Sequence, residues 1–196
     1  MAGDLNTAEK IMDIAQEMVQ TRGYHAFSYR DISDQIGIKT ASIHYYYPAK
    51  ADLAKAMLAR IRGMFEEGLA GIDATDNSAE AKLRQFAGIF LETYGEGRLC
   101  PFCMMATTQR TIPESVQDEV RGFWSRGEEW VESVLEEGQD AGEFKLPDSA
   151  QLIARMMVSS FEGAMVVARA FDDKSRLEAT VDFILSLVKV NKPFTK

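Results

Sequence analysis

The stretch from Phe27 to Leu53, FSYRDISDQIGIKTASIHYYYPAKADL, has the layout of two short helices joined by a sharp turn. Ser28 is a good helix N-cap, and Asp31 follows three residues later, where a carboxylate complements the positive end of the helix dipole. Gly37 supplies the left-handed residue that ends such a helix, and Thr40 is placed to cap the second one. The pattern predicts a helix-turn-helix, the arrangement that places its second helix in the major groove of DNA.

The second short helix, predicted over residues 41–46, carries side chains able to reach phosphates or base edges. With the first cap and the turn, the candidate DNA contacts are Ser28, Lys39, Thr40, Ser42, His44, Tyr45 and Tyr46. Adjacent residues of a helix point about 100° apart. We therefore expect Thr40, Ser42 and Tyr45 to face the groove. Ile43 and Tyr47 should face the protein core.

These residues resemble the TetR family of bacterial one-component transcription regulators. The matching pattern is specific as a set and consists of Gly23, Phe27, Ser28, Ile32, Ile36, Gly37, Ile38, Ala41, Ser42, Ile43, Tyr45, Tyr46, Tyr47, Lys50 and Leu53. The resemblance implies a DNA-binding regulator, and it makes Lys50 a further DNA contact, matching the family's phosphate-contacting lysine. The family usually has a small hydroxyl residue, Gly and Tyr where this chain has Lys39, Ala41 and His44. These departures concern the operator sequence rather than the fold.

The charge distribution agrees with selective rather than indiscriminate DNA binding. The 196 residues carry a net charge of −8, which repels phosphates. Residues 1–62, however, hold eight Lys and Arg against seven Asp and Glu, so most of the repulsive charge lies outside the DNA-reading segment. With 46% hydrophobic and 27% charged residues, the chain has the composition of an ordinary globular protein.

The hydrophobic periodicity is helical throughout, with no run of alternating strand residues. Asn6 and Glu9 form a capping pair for a first helix, and a connecting helix is expected from Ala51 to about Leu69, followed by a loop over residues 71–78. Later helices are predicted to start at the cap Ser78, at Pro101 (through about Gln109), at Pro113, at the cap Asp148 and after Asp173.

The expected fold is all-α, with about nine helices. Residues 1–50 form a three-helix head that contains the helix-turn-helix, and residues 51–196 form a helical effector-binding and dimerisation domain. The helix predicted over 149–170 contains Ser159, Ser160, Gly163 and Ala164, small side chains that let another backbone approach. They serve either internal packing or a two-fold interface. The resemblance favours a homodimer on a palindromic operator.

The resemblance also implies an effector site in the C-terminal region, and bundles place ligands between helices. The candidate lining residues are Phe90, Tyr94, Phe102, Met105, Trp124, Phe161, Glu162 and Met165. Any one of the apolar residues is equally suited to fill a core. Glu162 is a partner either for a cationic or hydroxylated ligand or for Arg155 or a residue across the dimer. The expected regulator is a repressor released by a small apolar or aromatic effector.

Cys100 and Cys103 are the only cysteines and form the motif CPFC. Pro101 as a first helical residue places Cys100 at a helix N-terminus, which makes the pair a candidate sensor of oxidants or electrophiles. The alternative is two inert thiols, because a thioredoxin-type βαβ pattern is absent. A zinc site would need two more ligands, and only His25 and His44 are available. No metal site is expected.

Catalysis, cofactors and membrane insertion are not expected. The sequence has no glycine-rich phosphate loop, metal-ligand cluster or nucleophile beside a base. The most apolar stretch, residues 152–171, is interrupted by Arg155, Glu162 and Arg169. The N-terminus lacks the apolar core of a signal peptide, which predicts a cytoplasmic location. The alternative from another functional class is a helical protein-interaction module without DNA binding.

Overall fold

The computed structural model of the chain describes residues 2–75 and 77–190. Within these residues the chain forms nine α-helices and no β-strand, which confirms the all-α prediction. The helices are α1 (Ala2–Arg22), α2 (Tyr29–Ile36), α3 (Thr40–Tyr46), α4 (Lys50–Asp73), α5 (Ala79–Gly95), α6 (Pro101–Ala106), α7 (Glu114–Asp140), α8 (Ala150–Phe171) and α9 (Ser175–Val188). None of the described helices has the length and apolar character needed to cross a membrane.

The ends of α2 follow the sequence prediction. Ser28 and Asp31 form a reciprocal capping box, in which the Ser28 hydroxyl accepts from the Asp31 amide and the Asp31 carboxylate accepts from the Ser28 amide. Gly37 ends the helix with a φ of 79°, and its amide donates to the carbonyl of Ser33. A residue with a Cβ is strained at this φ, so glycine is the residue that suits the sharp turn.

Two predicted caps are wrong by one residue. Lys39, not Thr40, is the N-cap of α3; it has an extended backbone, and its carbonyl already accepts from the Ser42 amide. Thr40 is therefore the first helical residue. Ser149, not Asp148, caps α8, because the Ser149 hydroxyl lies 3.3 Å from the Leu152 amide. The Asp148 carboxylate instead accepts from the Ser149 amide at 2.7 Å.

Three predicted helix ends also differ. α1 begins at Ala2, so the predicted capping pair of Asn6 and Glu9 lies inside the helix; no proline interrupts this polar first turn. α4 continues to Asp73, because Ile72 extends its buried face past Gly71. The helix that starts at Pro101 ends at Ala106, and Gln109–Thr111 forms a separate 3-10 turn. Ser78 caps α5 as predicted.

The described residues of Met1–Phe65 and Gly97–Phe123 form one compact unit. Its core is built from side chains with no exposed surface, namely Ile11, Ala15, Val19, Ile32, Ile43, Leu53, Ala54, Met57, Leu58, Phe102, Met105 and Val116. The segment before α6 is tied to α1 by a pair of bonds at 3.2 Å, from the Leu99 amide to the Gln20 carbonyl and from Gln20 Nε2 to the Leu99 carbonyl. Unlike the predicted contiguous head, this unit therefore includes α6.

The described residues of Glu66–Glu96 and Trp124–Lys196 form a second compact unit. α8 packs against α9, and α5 packs against both. Aromatic rings fill its interior, with Phe86 stacked on Trp130 at 5.5 Å and Phe90 edge-on to Phe161 at 5.7 Å between centroids. Gly138 of α7 lets the Phe144 ring approach its backbone, since a Cβ there would overlap the ring and lie 2.8 Å from the Ala79 Cβ.

Candidate DNA-binding interface

α2 and α3 are held together by one buried hydrogen bond and an apolar seam. The hydroxyl of Tyr29, the first residue of α2, donates to the carbonyl of Tyr47 at 2.8 Å. Burial, and next the negative charge of Asp52, raise the pKa of Tyr29, so the phenol stays protonated and remains a donor. Ile32 and Ile43 have no exposed surface. The hydrogen bond therefore holds the C-terminal end of α3 against α2, and the buried isoleucines pack the two helices together.

The residues of α3 divide between core and solvent as their spacing predicts. Ile43 is fully buried, and Tyr47 at the end of the helix is buried too. Tyr45 is 80% exposed, and its ring lies edge-on to that of Tyr46 at 5.2 Å. Thr40 and Ser42 are half-buried. The structure thus brings these side chains to the surface of one short helix, beside the exposed N-cap Lys39.

His44 is exposed but firmly positioned. Its Nδ1 lies 3.1 Å from the carbonyl oxygen of Pro48, and its ring lies edge-on to Tyr29, with 4.7 Å between centroids. The sequence offered no signal for this arrangement, because it depends on the fold of the segment between α3 and α4. Tyr29 and Pro48 contact the ring of His44 and set its orientation, and neither is a candidate DNA contact by its sequence pattern.

Ser28 is the N-cap of α2. Its hydroxyl donates to Asp31 Oδ2 at 2.7 Å, and its amide donates to the same oxygen at 2.6 Å. The bond from the Ser28 hydroxyl has the larger effect and the bond from its amide the next, and both lower the pKa of Asp31, so the carboxylate stays ionised. These bonds hold the exposed Ser28 at the start of the helix.

Lys50 makes contacts inside the first unit that the sequence did not reveal. Its ammonium donates to the Phe27 carbonyl at 2.6 Å and lies over the rings of Phe27 and Tyr24, 4.1 and 4.4 Å from their centroids. Burial lowers the pKa of Lys50, partly opposed by the charge of Asp31. The ammonium therefore joins the start of α4 to the residue that precedes the α2 cap. Its contact with phosphate stays a prediction.

The eight candidate effector residues fall in both compact units. Phe102 and Met105 belong to the first, where Phe102 stacks on Phe123 at 3.8 Å between centroids. The others belong to the second, and they are Phe90, Tyr94, Trp124, Phe161, Glu162 and Met165. Within that unit α5 and α8 place Phe90 against Phe161, and the Tyr94 hydroxyl donates to the Ala168 carbonyl at 3.1 Å.

Glu162 is only 6% exposed, an unusual environment for a carboxylate. Arg155, one of its predicted partners, pairs with Glu128 at 3.5 Å.

The two cysteines lie at the start of α6: Cys100 is the N-cap and is buried, and Cys103 is the third helical residue and is half-buried. Among the residues that the structure describes, no cluster of His, Cys, Asp or Glu is suited to hold a metal ion.

Comparison with known proteins accounts for this architecture. Residues 11–57 match the bacterial regulatory proteins of the tetR family, and residues 79–184 match the tetracyclin repressor-like C-terminal domain. The chain belongs to the TetR family. TetR-family regulators are DNA-binding transcription factors and not enzymes, and the α2–α3 pair is the helix-turn-helix of this one.

Solved structures of TetR-family proteins are similar over almost the whole length. A transcriptional regulator from Agrobacterium tumefaciens is 29% identical, with a TM-score of 0.92 over 95% of this chain and all of that one. A TetR regulator from Legionella pneumophila is 32% identical, with a TM-score of 0.85 over 92% of this chain and 96% of that one. The fatty acid metabolism regulator protein of Bacillus subtilis is 21% identical over 91% of this chain and 92% of its own.

Proposed function

We propose that this TetR-family regulator is a ligand-responsive repressor. Two heads of a homodimer bind a palindromic operator, and a small apolar or aromatic effector in the second unit releases them. The observation that carries the proposal is the position of α3: its buried face packs in the core of the first unit, and Tyr45 on its other face is 80% exposed. A helix held in this way enters a major groove without having to be ordered first.

The proposed operator contacts surround that helix. Thr40, Ser42 and Tyr45 are assigned to base edges and adjacent phosphates, because their hydroxyls are both donors and acceptors. The cations and the remaining polar groups are assigned to the phosphate backbone, and they are Ser28, Lys39, His44, Tyr46 and Lys50. The Lys50 ammonium has three N–H donors, and one of them bonds to the Phe27 carbonyl. A phosphate contact therefore uses one of the other two, or it replaces the bond to Phe27.

The proposed dimer interface lies on α8 and α9. Both helices expose large apolar side chains, namely Leu152, Val166, Val167, Phe171, Phe183 and Leu187. Between them runs a groove floored by small residues, Ser160, Gly163 and Ala164, in which a Cβ at Gly163 would meet no other atom. An apolar face interrupted by small residues suits a second copy of the same surface, and homodimers are typical of the family. Pairing two heads also supplies the two half-sites of a palindrome.

The proposed effector site lies between α5 and α8, among Phe90, Tyr94, Phe161 and Met165. Phe90 lies edge-on to Phe161, so a ligand would replace this contact with its own apolar surface. The buried carboxylate of Glu162 is the polar group suited to orient a bound molecule. The name of the Bacillus subtilis relative is a reason to include acyl-chain compounds beside aromatic ones among the ligands tested.

Release from DNA requires a difference in ligand affinity between two states of the protein. A ligand that bound the operator-competent and the released state equally would shift nothing. We assign the signal to α4, because this single helix contains Lys50, which contacts the carbonyl before the α2 cap, and extends to Asp73, whose carboxylate accepts from Trp130 Nε1 at 2.9 Å.

The position of the cysteines favours a second trigger. Cys100 is the N-cap of α6 and Cys103 its third residue, so the two cysteines lie within one turn of each other. A peroxide, ROOH, would oxidise the two thiols to a disulfide and leave ROH and water. Under this alternative Cys100→Ser abolishes the response to peroxide and leaves operator affinity unchanged, which a ligand-operated repressor does not predict.

The proposal is tested by capture of sheared genomic DNA on the immobilised full-length protein in moderate salt. Selective recovery of fragments that share one palindrome is the expected result, and the double variant Thr40→Ala/Tyr45→Ala should lose it. Thr107→Ala, an exposed threonine outside α2 and α3, is the matched control and should behave as wild type. Recovery of no preferred sequence, or equal recovery by the double variant, would contradict DNA reading through α3. A protein-interaction module would also give no preferred sequence.

A further inference from the structure

The hydrogen bond of His44 fixes which of its ring nitrogens carries the proton. Nδ1 lies 3.1 Å from the Pro48 carbonyl oxygen. A carbonyl oxygen only accepts, so Nδ1 must be the donor. In the neutral ring Nε2 is therefore a bare acceptor, and it becomes a donor only when the ring takes up a second proton.

His44 lies on the helix that is proposed to enter the groove, and two contacts hold its ring. The ring contacts Tyr29, the first residue of α2, and the carbonyl of Pro48, two residues before the start of α4. The ring is thus held in place by both contacts while it remains exposed on α3. A DNA phosphate oxygen accepts but cannot donate, so it can bond Nε2 only when the ring is an imidazolium.

We propose that His44 contacts an operator phosphate as an imidazolium, so that each head takes up a proton when it binds DNA. This inference rests on the proposed placement of α3 in the groove. It makes operator affinity fall as pH rises through neutrality. A tyrosine, the residue usual at this position in the family, donates from its hydroxyl at any pH below its own titration and gives no such dependence.

The neighbouring charged groups do not produce the same effect. The other titratable and charged groups on α2, on α3 with its caps and in the first turn of α4 are Tyr29, Arg30, Asp31, Asp34, Lys39, Tyr45, Tyr46, Tyr47, Lys50 and Asp52. The pKa of Asp31 is lowered, first by the Ser28 hydroxyl, and that of Tyr29 is raised by burial, so both keep their charge state near neutrality. Arg30 pairs with Asp34 at 3.9 Å, and Asp52 accepts from the Ala49 amide at 2.9 Å. Histidine is the residue type that ordinarily titrates between pH 6 and 8.

The expected size follows from linkage. An imidazole in water titrates near pH ~6.5. A phosphate that favours the imidazolium about tenfold over the neutral ring raises the affinity of one head about sixfold from pH 8 to pH 6. Two heads acting together give about 40-fold for a dimer on a palindrome.

The chain allows a well-controlled test, because it has only two histidines. The probe is a duplex selected from a random library by the full-length wild type, and its dissociation constant is measured from pH 6 to pH 8 at constant ionic strength. His25, whose Nε2 lies 2.8 Å from Thr111 Oγ1, provides the matched control. His25→Gln should keep the wild-type profile. For His44→Gln, which donates an N–H without titrating, and for His44→Tyr, the dissociation constant should not change between pH 6 and pH 8.

A second readout counts protons directly. The heat of binding is measured in two buffers of different ionisation enthalpy. For wild type and for His25→Gln the heat should differ between the two buffers. For His44→Gln it should be the same in both. An unchanged pH profile in both His44 variants would overturn the proposal. Affinity that rises with pH would also overturn it, since the neutral Nε2 would then be accepting from a base amino group. If no duplex is selected, the DNA-reading function itself fails, which distinguishes the two failures.

Discussion

Replacement of Lys50 by methionine separates its two assigned roles. Methionine keeps a flexible apolar stem and removes the ammonium that donates to the Phe27 carbonyl and lies over the rings of Phe27 and Tyr24. A charged donor on a carbonyl contributes about 1.5–3 kcal/mol, and a cation over a ring contributes about 0.5–1 kcal/mol at a partly exposed site. The ammonium is only half-buried, and its pKa is lowered by burial, so solvent screening and desolvation offset part of this gain.

We therefore expect Lys50→Met to lower the free energy of unfolding by about 1–2 kcal/mol. The measurement is chemical denaturation of the full chain, with Lys55→Met, an exposed lysine of the same helix, as the control that should change little. A value for Lys50→Met equal to that of Lys55→Met would refute the internal role. Operator binding tests the proposed phosphate contact. Its loss in Lys50→Met should lower the slope of log affinity against log salt concentration by about one per head and leave base preference unchanged.

Three further outcomes are expected. Gly138→Ala should destabilise the protein by about 1–2 kcal/mol in denaturation, because the new methyl overlaps the Phe144 ring and this cost exceeds the gain in helix propensity; the additional change Phe144→Leu should restore part of the loss. Phe183→Glu should leave far-UV circular dichroism unchanged and give a monomer by sedimentation, since this ring is 63% exposed on the proposed interface. Because the pKa of Asp31 is lowered in the fold, its stabilising contribution is present above the ordinary aspartate range and is lost as pH falls through the lowered value. Asp31→Asn should accordingly reduce the acid sensitivity of unfolding, as followed by tryptophan fluorescence against pH.

Local features of the fold were predictable because their physical causes lie within a few residues. The capping box of Ser28 and Asp31 and the left-handed Gly37 depend on neighbours three to five positions away. The buried and exposed faces of α3 follow from helical spacing alone. Where two capping residues stand side by side, as at Asp148 and Ser149, spacing does not decide which one accepts from the helix amides.

Features that depend on distant residues were not predictable. The Lys50 ammonium reaches a carbonyl 23 positions earlier in the chain, and Gln20 bonds to Leu99 across 79 positions. No periodicity signals either contact, and the second one brings α6 into the same compact unit as the helix-turn-helix. The His44 bond to Pro48 spans only four residues, but the same ring also lies edge-on to Tyr29 of α2.

The central claim is that the exposed face of α3 reads the operator. The most direct test is the dissociation constant of a selected operator duplex, measured by fluorescence anisotropy for Thr40→Ala and Tyr45→Phe against wild type and the control Thr107→Ala. Each of the two α3 variants should fold normally and lose about 1–3 kcal/mol of binding free energy. If the lost contact is to a base, the variant should lose discrimination only at the contacted base pair of each half-site. Wild-type affinity in both variants would contradict the claim and place the DNA contacts on another surface.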